Sequence, residues 1–296
     1  AFLVQISAIL VWLAKWRILS NAIGLKVGTR RMFPILLSGI FVNTAIPSAK
    51  VGGEPLRGYM FSKLGEVPME KSFASVAADR AVDGIPFIAI ILVSLSLVIS
   101  RGELSLYAIF LLIPAAILVS AVVVAFLYVC IRPTPAKGFI QWLIRKLRRI
   151  IIKFRPISYV EKKAEEFLEG FGKGAQKIFK SRRHTGSALG LSFLYWFLSI
   201  FRMYLVFMAL GKSISLATIG LAITLGLLLQ AVPIPGGLGV VEGVYILIFQ
   251  QSGGVAVDTA VAAALLDRGI SFWFTSLFSM GGIAWSGLEL SKVLED

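Results

Sequence analysis

Long apolar runs, broken at a few places by glycine, proline and charge, set the layout of this chain. Residues 1–14 are apolar and end in KWR. As a helix they span about 21 Å, short of a hydrocarbon core of about 30 Å, so they read as the end of a longer transmembrane helix with an upstream portion missing. Lys15, Arg17, Lys26, Arg30 and Arg31 then read as a loop, and Trp12 and Trp16 as an interfacial belt. Residues 32–46 are apolar until Pro47 and the pair Gly52–Gly53 break the run. A short helix is predicted over 54–64, with Pro55 in its first turn, where the missing N–H costs nothing. Two long spans follow, 72–100 and 106–131, joined by a turn carrying Arg101 and Glu103.

A breaker, RPTP, opens the next segment. There QWLIRKLRRIIIKF and SYVEKKAEEFLEGFGKGAQKIF alternate apolar and basic residues at helical spacing. They read as two amphipathic helices on an anionic cytoplasmic leaflet, or as a solvated connector. Beyond them lie a span at 188–210, an apolar run at 214–234 broken by PIPGGLG, a short helix at 240–251 and a last span at 256–288.

The two breaks resemble each other. Sliding the first by 188 positions without a gap places Ile46 on Ile234, Pro47 on Pro235, Glu54 on Glu242, Phe61 on Phe249 and Gly65 on Gly253. The same shift places Val67 on Val255, Ala74 on Ala262, Asp79 on Asp267 and Arg80 on Arg268. Two copies of a broken apolar segment point to a transporter's binding site.

Composition and charge sharpen this. The chain is 57% hydrophobic and 16% charged, which excludes an ordinary soluble domain. Its net charge of +14 is concentrated: residues 132–184 hold fifteen Lys and Arg against four Glu. Beside apolar spans, such a block marks a cytoplasmic face. No aromatic-rich binding fold accompanies it, so nucleic acid is not an expected partner. If 32–46 crossed fully, the two basic loops would lie on opposite faces. If 32–64 is a re-entrant hairpin, both are cytoplasmic, and this arrangement is preferred. Backbone broken at membrane depth then has to be buried in protein or line water. Applied to the second break, the same logic puts the second unit upside down. The expected fold is an all-α polytopic membrane protein, an inverted repeat of helix, re-entrant hairpin, helix. Its parts are a first transmembrane repeat with a linking helix at 1–131, a basic cytoplasmic insert at 132–187 and a second repeat at 188–296.

A charge inside a span costs several kcal/mol unless paired or hydrated. Asp79, Arg80 and Asp83, the mid-span Arg202, and the pair Asp267 and Arg268 are therefore the candidate site residues. In one reading they pair with Glu54 and Glu242 and lock the repeats together. In the other they line a polar cavity between the repeats. Each short helix starts just after glycines (Gly52 and Gly53; Gly236, Gly237 and Gly239), and helix N-termini attract anions. With Arg57, these ends suit an anionic head group, while Glu54 and Glu242 act as caps or as displaceable partners. Neither break is a Walker loop, since GKS or GKT is absent. A single cysteine, Cys130, and a single histidine, His184, exclude an internal disulfide, a zinc-ligand set and a Cys–His dyad. No metal or cofactor is expected.

The segment from WLAKWRILSN to VGGEPLRGYMFSK resembles the start of the lysylphosphatidylglycerol synthase transmembrane region, or flippase-like domain, family. PIPGGLGVVEG followed by LLDRGISFW is similar to that family's second signature. The resemblance implies a bacterial or archaeal inner-membrane protein of the class that moves lipids or lipid-linked molecules between leaflets; the arginines and helix ends make a phospholipid or polyprenyl-phosphate head group the expected partner. Fused members of that family hold their transferase in a separate soluble domain with no counterpart here, so transfer chemistry is not expected of this chain. Its rivals are an intramembrane lipid-modifying enzyme and a non-catalytic anchor for a separate transferase.

Overall fold

In a computed structural model the chain is helical throughout the described residues, which are 1–45, 52–104, 106–131, 146, 157–230, 234 and 237–295. Pro47, Pro235, Gly236 and all but one residue of the first basic amphipathic stretch fall outside them. The elements are α1 (Phe2–Ala22), α2 (Thr29–Ala45), α3 (Gly53–Leu64), α4 (Met69–Ser100), α5 (Leu106–Ile131), α6 (Ile157–Lys180), α7 (Arg182–Ala209), α8 (Leu216–Leu229), α9 (Val240–Gln251) and α10 (Val257–Arg268). A π-helical turn, Gly269–Phe274, joins α10 to α11 (Thr275–Glu295).

Among the described residues, five stretches are long and apolar enough to cross a membrane: Phe2–Ala22, Met69–Ser100, Leu112–Cys130, Arg182–Ala209 and Val257–Gly287. The helices α8 and α9 are apolar but too short. The 188-residue recurrence extends to whole elements. Shifted by that amount, Met69 at the start of α4 falls on Val257 at the start of α10, and the starts of α2 and α3 fall within one residue of those of α8 and α9.

Two expectations for the start of the chain are overturned. The first helix continues to Ala22, so Lys15 and Arg17 are helical and not in a loop. Its inward stripe is Gln5, Ile9, Trp12, Trp16 and Leu19, at the three-and-four spacing of one helix face. Trp12 and Trp16 are on that stripe, buried against the rest of the protein and not at an interface. The physical reason is that Lys15 has carboxylate partners inside the protein, described below, which lets the helix continue inward past a cation.

The two halves interlock. The first helices of each half, α1 and α7, pack along one another. Then each half lends its short helix to the other: α2 packs on α11, and α8 packs on α4. Both crossings use small residues. A Cβ at Gly282 would strike the Leu37 side chain, and one at Gly220 would strike the Ser94 hydroxyl. Two apolar cores result. One joins α1–α3 to the first part of α4 through Trp16, Met32, Ile35, Phe61 and Val82. The other joins the second part of α4 to α7–α10 through Ile91, Met203, Phe207, Phe249 and Ala263.

With 32 residues, α4 is about 48 Å long, well beyond the hydrocarbon thickness. Its first turns carry α6. Phe73 meets Phe167 edge-on at 5.6 Å between ring centres, and Gly170 and Gly174 let α6 approach Glu70 and Ala74. The apolar side of α6, with Leu168, Ala175 and Ile178, is thus covered by protein and not laid open on a leaflet. Its outer side carries both Lys and Glu, including the pairs Lys163–Glu166 and Lys173–Glu169. α5 is the least covered span, with Phe110, Ile117, Val124 and Phe126 all exposed, as a lipid-facing helix would be.

Candidate functional site

The charges placed mid-span by the sequence form two networks with a shared plan. In the first half, the Arg80 Nε donates to Glu54 Oε1 at 2.6 Å, tying α4 to α3. In the second, the Arg268 Nε donates to Glu242 Oε1 at 2.8 Å, tying α10 to α9. Both bonds span 26 residues, so they are the same contact made twice. The neighbouring aspartates repeat as well. Asp79 takes Lys15 from α1 at 3.1 Å and Arg57 from α3 at 2.9 Å. Asp267 takes Arg202 from α7 through two bonds of 2.8 and 3.3 Å. A carboxylate buried this deeply is tolerated only when paired and hydrogen-bonded, and each Asp is. Trp12 adds an indole N–H to Asp79 at 2.8 Å, and Ser271 adds its hydroxyl to Asp267 at 3.2 Å.

The surroundings hold the cations in place. The Arg57 guanidinium lies 4.3 Å from the Trp16 ring centre, that of Arg80 lies 4.6 Å from Trp12, and that of Arg268 lies 4.7 Å from Phe272. Arg202 also donates to Gln5 Oε1 at 2.5 Å, and Gln5 donates in turn to Thr275 at 2.9 Å. One arginine of each half is followed by a helix irregularity. Six residues beyond Arg80, Pro86 removes an N–H from α4; at the equivalent place after Arg268 the backbone forms its π turn.

Between the halves is a cavity of about 700 Å³. Arg80, Asp83, Arg202 and Arg268 border it, with Gln5, Asn43, Tyr195, Gln230 and Tyr245. Its lining is also apolar, with Leu118, Val119, Val122 and Val123 of α5 and Ile223, Leu227 and Leu228 of α8. Arg80 remains about one-third exposed there, at 32%, whereas Asp79 and Asp267 are fully buried behind it.

Of the residues singled out from sequence, four therefore meet at one cavity: Arg80, Asp83, Arg202 and Arg268. Glu54 and Glu242 stand next to it, each holding its arginine. Arg57, Asp79 and Asp267 lie behind it as buried partners. The glycines do something other than offer free amides. The Gly53 N–H donates to Asn43 Oδ1 at 2.8 Å, and the Gly239 N–H donates to Glu242 Oε2 at 2.7 Å. One N–H at each helix start is thus taken by an acceptor from the chain, and at α9 that acceptor is the glutamate expected as a cap. Gly53 is required for packing, since a Cβ would overlap the Gly39 carbonyl and Asn43. Gly237 and Gly239 have φ of +65° and +82°, which favours glycine there. Gly52 is half-buried at the start of α3, and Gly236 is outside the described residues.

Sequence reading missed Lys15, Gln5, Asn43, Tyr195 and Tyr245. The signal available for the first two was the inward stripe of α1, on which Gln5 falls at helical spacing from Trp12. Tyr245 was equally accessible, since it occupies the position 188 residues after Arg57.

The profile of the family described as "Lysylphosphatidylglycerol synthase TM region" matches residues 1–279. A UPF0104 membrane protein of Methanothermobacter thermautotrophicus is 32% identical over 95% of this chain and 83% of its own length. A UPF0104 membrane protein of Methanocaldococcus jannaschii is 28% identical over 92% of this chain and 79% of its own length. Glycosyltransferase AglD of Haloferax volcanii is 24% identical over 92% of this chain, which spans 46% of that protein. No solved structure matches the chain.

Proposed function

For this chain, which belongs to the lysylphosphatidylglycerol synthase TM region family, we propose a flippase-like role: it moves a lipid with a phosphate-bearing head group between leaflets through the cavity between its halves. The observation that carries this is the mixed lining of the cavity. Arginines from both halves and branched apolar residues of α5 and α8 border the same cavity. An amphipathic molecule needs both surfaces at once. A polar head group in hydrocarbon loses its water, and guanidinium groups at mid-depth replace those hydrogen bonds. In this reading α2–α3 and α8–α9 are re-entrant hairpins entering from opposite faces, and the two halves are inverted in the bilayer. The basic residues beside α6 then face the cytoplasm and its anionic lipids. Glu54 and Glu242 hold the arginines between cargoes and release them when phosphate oxygens arrive.

Purified protein in liposomes tests this. Fluorescent phosphatidylglycerol should cross the bilayer faster than in protein-free liposomes, and a fluorescent diacylglycerol-linked sugar without phosphate should gain much less. Equal rates for both lipids with and without protein would defeat the reading.

A second reading draws on the likeness to Glycosyltransferase AglD: a membrane part that holds lipid for a separate transferase. It predicts lipid binding without movement in the same liposomes. Direct glycosyl or phosphoryl chemistry by this chain is less favoured, because Asp83 is the one carboxylate among the described residues bordering the cavity.

A further inference from the structure

Among the described residues, the charges joined by ion pairs in the two networks balance. Lys15, Arg57, Arg80, Arg202 and Arg268 supply five cations, and Glu54, Asp79, Asp83, Glu242 and Asp267 supply five carboxylates. An anionic head group entering the cavity upsets this balance and leaves net negative charge inside the membrane, which is strongly unfavourable. A second cation has to enter with it or a carboxylate has to be neutralised.

The halves differ at one cavity position in a way that answers this need. Asp83 of α4 and Ser271 are equivalent under the 188-residue shift, and both border the cavity. The second half thus closes with a neutral hydroxyl, whereas the first keeps an additional acid. That acid is bound to the Lys15 ammonium and to the Ser192 hydroxyl. Its side chain is 14% exposed, while those of Lys15 and Asp79 are fully buried. Among the carboxylates of both networks, Asp83 alone borders the cavity, and a proton from cavity water reaches it without crossing protein. The first half also pairs its aspartates with a lysine, where the second uses Arg202 on Asp267. An ammonium holds its carboxylate as a point charge and adjusts to its loss more readily than a bidentate guanidinium.

We propose that Asp83 is a proton-binding site linked to the cavity's cargo, so that an anionic head group enters together with one proton. This rests on the transport reading above. The arriving anion draws a proton from cavity water onto the Asp83 carboxylate; the Lys15 ammonium stays charged and remains on Asp79. Linkage requires the reverse as well: lower pH on the cavity side raises affinity for the anion. The groups around Asp83 are consistent with one titrating acid. Lys15 faces it from α1, Ser192 and Tyr195 from α7, and Asp79 and Arg80 from its own helix, with Arg57 and Glu54 of α3 engaged by those last two. α5 brings only apolar side chains to this cavity, α8 brings Ile223, Leu227 and Leu228 with Gln230 just after its end, and α6 packs at the far end of α4 near Glu70 and Ala74.

Infrared difference spectra of the protein in nanodiscs test the site without relying on transport. On acidification from about pH 8 to about pH 4, the spectrum in phosphatidylcholine discs should gain a carboxylic-acid C=O component, beyond that of the surface acids, that persists in Asp83→Glu and is missing from folded Asp83→Asn. Adding phosphatidylglycerol should raise its midpoint by about one pH unit, a tenfold gain in proton affinity. Should Asp83→Asn fail to fold, the double variant Lys15→Gln/Asp83→Asn removes both charges together and serves as the blank. A band unchanged by these substitutions, or a midpoint indifferent to the anionic lipid, overturns the proposal. Lipid movement in liposomes with no Asp83 band would leave the flippase reading standing and the proton site refuted. An Asp83 band that responds to phosphatidylglycerol in a protein that moves no lipid would uphold linked binding of proton and anion and refute transport.

Discussion

Arg80 and Arg268 face one cavity from the two halves of the chain, each held by a glutamate 26 residues before it on a short helix. The pair is a matched set of cations, and its glutamates limit how much of each guanidinium is open to the cavity. Replacing Arg80 or Arg268 by Gln should leave folded, monodisperse protein and lower lipid movement by tenfold or more, about the effect of one lost charge-assisted contact of 1.5–3 kcal/mol. Gel filtration and the liposome assay check both halves of that statement.

Asp79 and Asp267 should behave differently, because neither borders the cavity. In Asp79→Asn, Lys15 and Arg57 lose their shared carboxylate charge while remaining buried, which should destabilise by about 3–5 kcal/mol. Asp267→Asn strips Arg202 in the same way. The expected result is low yield and a reduced unfolding temperature, with activity falling in proportion to folded protein. Normal thermal stability in both variants would contradict the structural role assigned to them.

Gly53 and Gly243 form a contrasting pair. A Cβ at Gly53 would overlap the Gly39 carbonyl, so Gly53→Ala should destabilise by about 1–3 kcal/mol through overpacking. Gly243, inside α9, has open space, and Gly243→Ala should stabilise by about 0.5–1 kcal/mol through helix propensity. Thermal unfolding in one detergent compares them directly.

The proposed opposition of the two hairpins gives a labelling prediction. With the buried Cys130 replaced, Gln251→Cys should react with an impermeant thiol reagent in intact cells, and Lys63→Cys should react only after lysis. Both positions are exposed, so failure to react reports sidedness and not burial. Labelling of both from outside would contradict the inversion.

Much of this arrangement was legible in the sequence, and the reason is physical. Apolar runs of sufficient length have few alternatives to spanning helices, and proline, glycine and charge are rare enough there to mark the breaks. The pairs Asp79–Arg80 and Asp267–Arg268 were visible as a repeated expense of desolvation, and their glutamate partners followed from the same shift. What failed was any inference that used a residue's type without its partner. Lys15 was assigned to a loop because it is a cation after an apolar run; two aspartates far along the chain make it a core residue. The apolar face of α6 looked like a membrane-binding surface because nothing in its own segment shows that α4 extends far enough to cover it.

A structure of the protein determined in a lipid nanodisc containing phosphatidylglycerol tests the central claim most directly. The account predicts lipid density in the cavity between the halves, with phosphate oxygens within hydrogen-bond reach of Arg80 and Arg268 and acyl chains against Leu118, Val119, Val122 and Val123. Lipid confined to the outer surfaces of α5 and α7, with the cavity empty of it, would contradict the account.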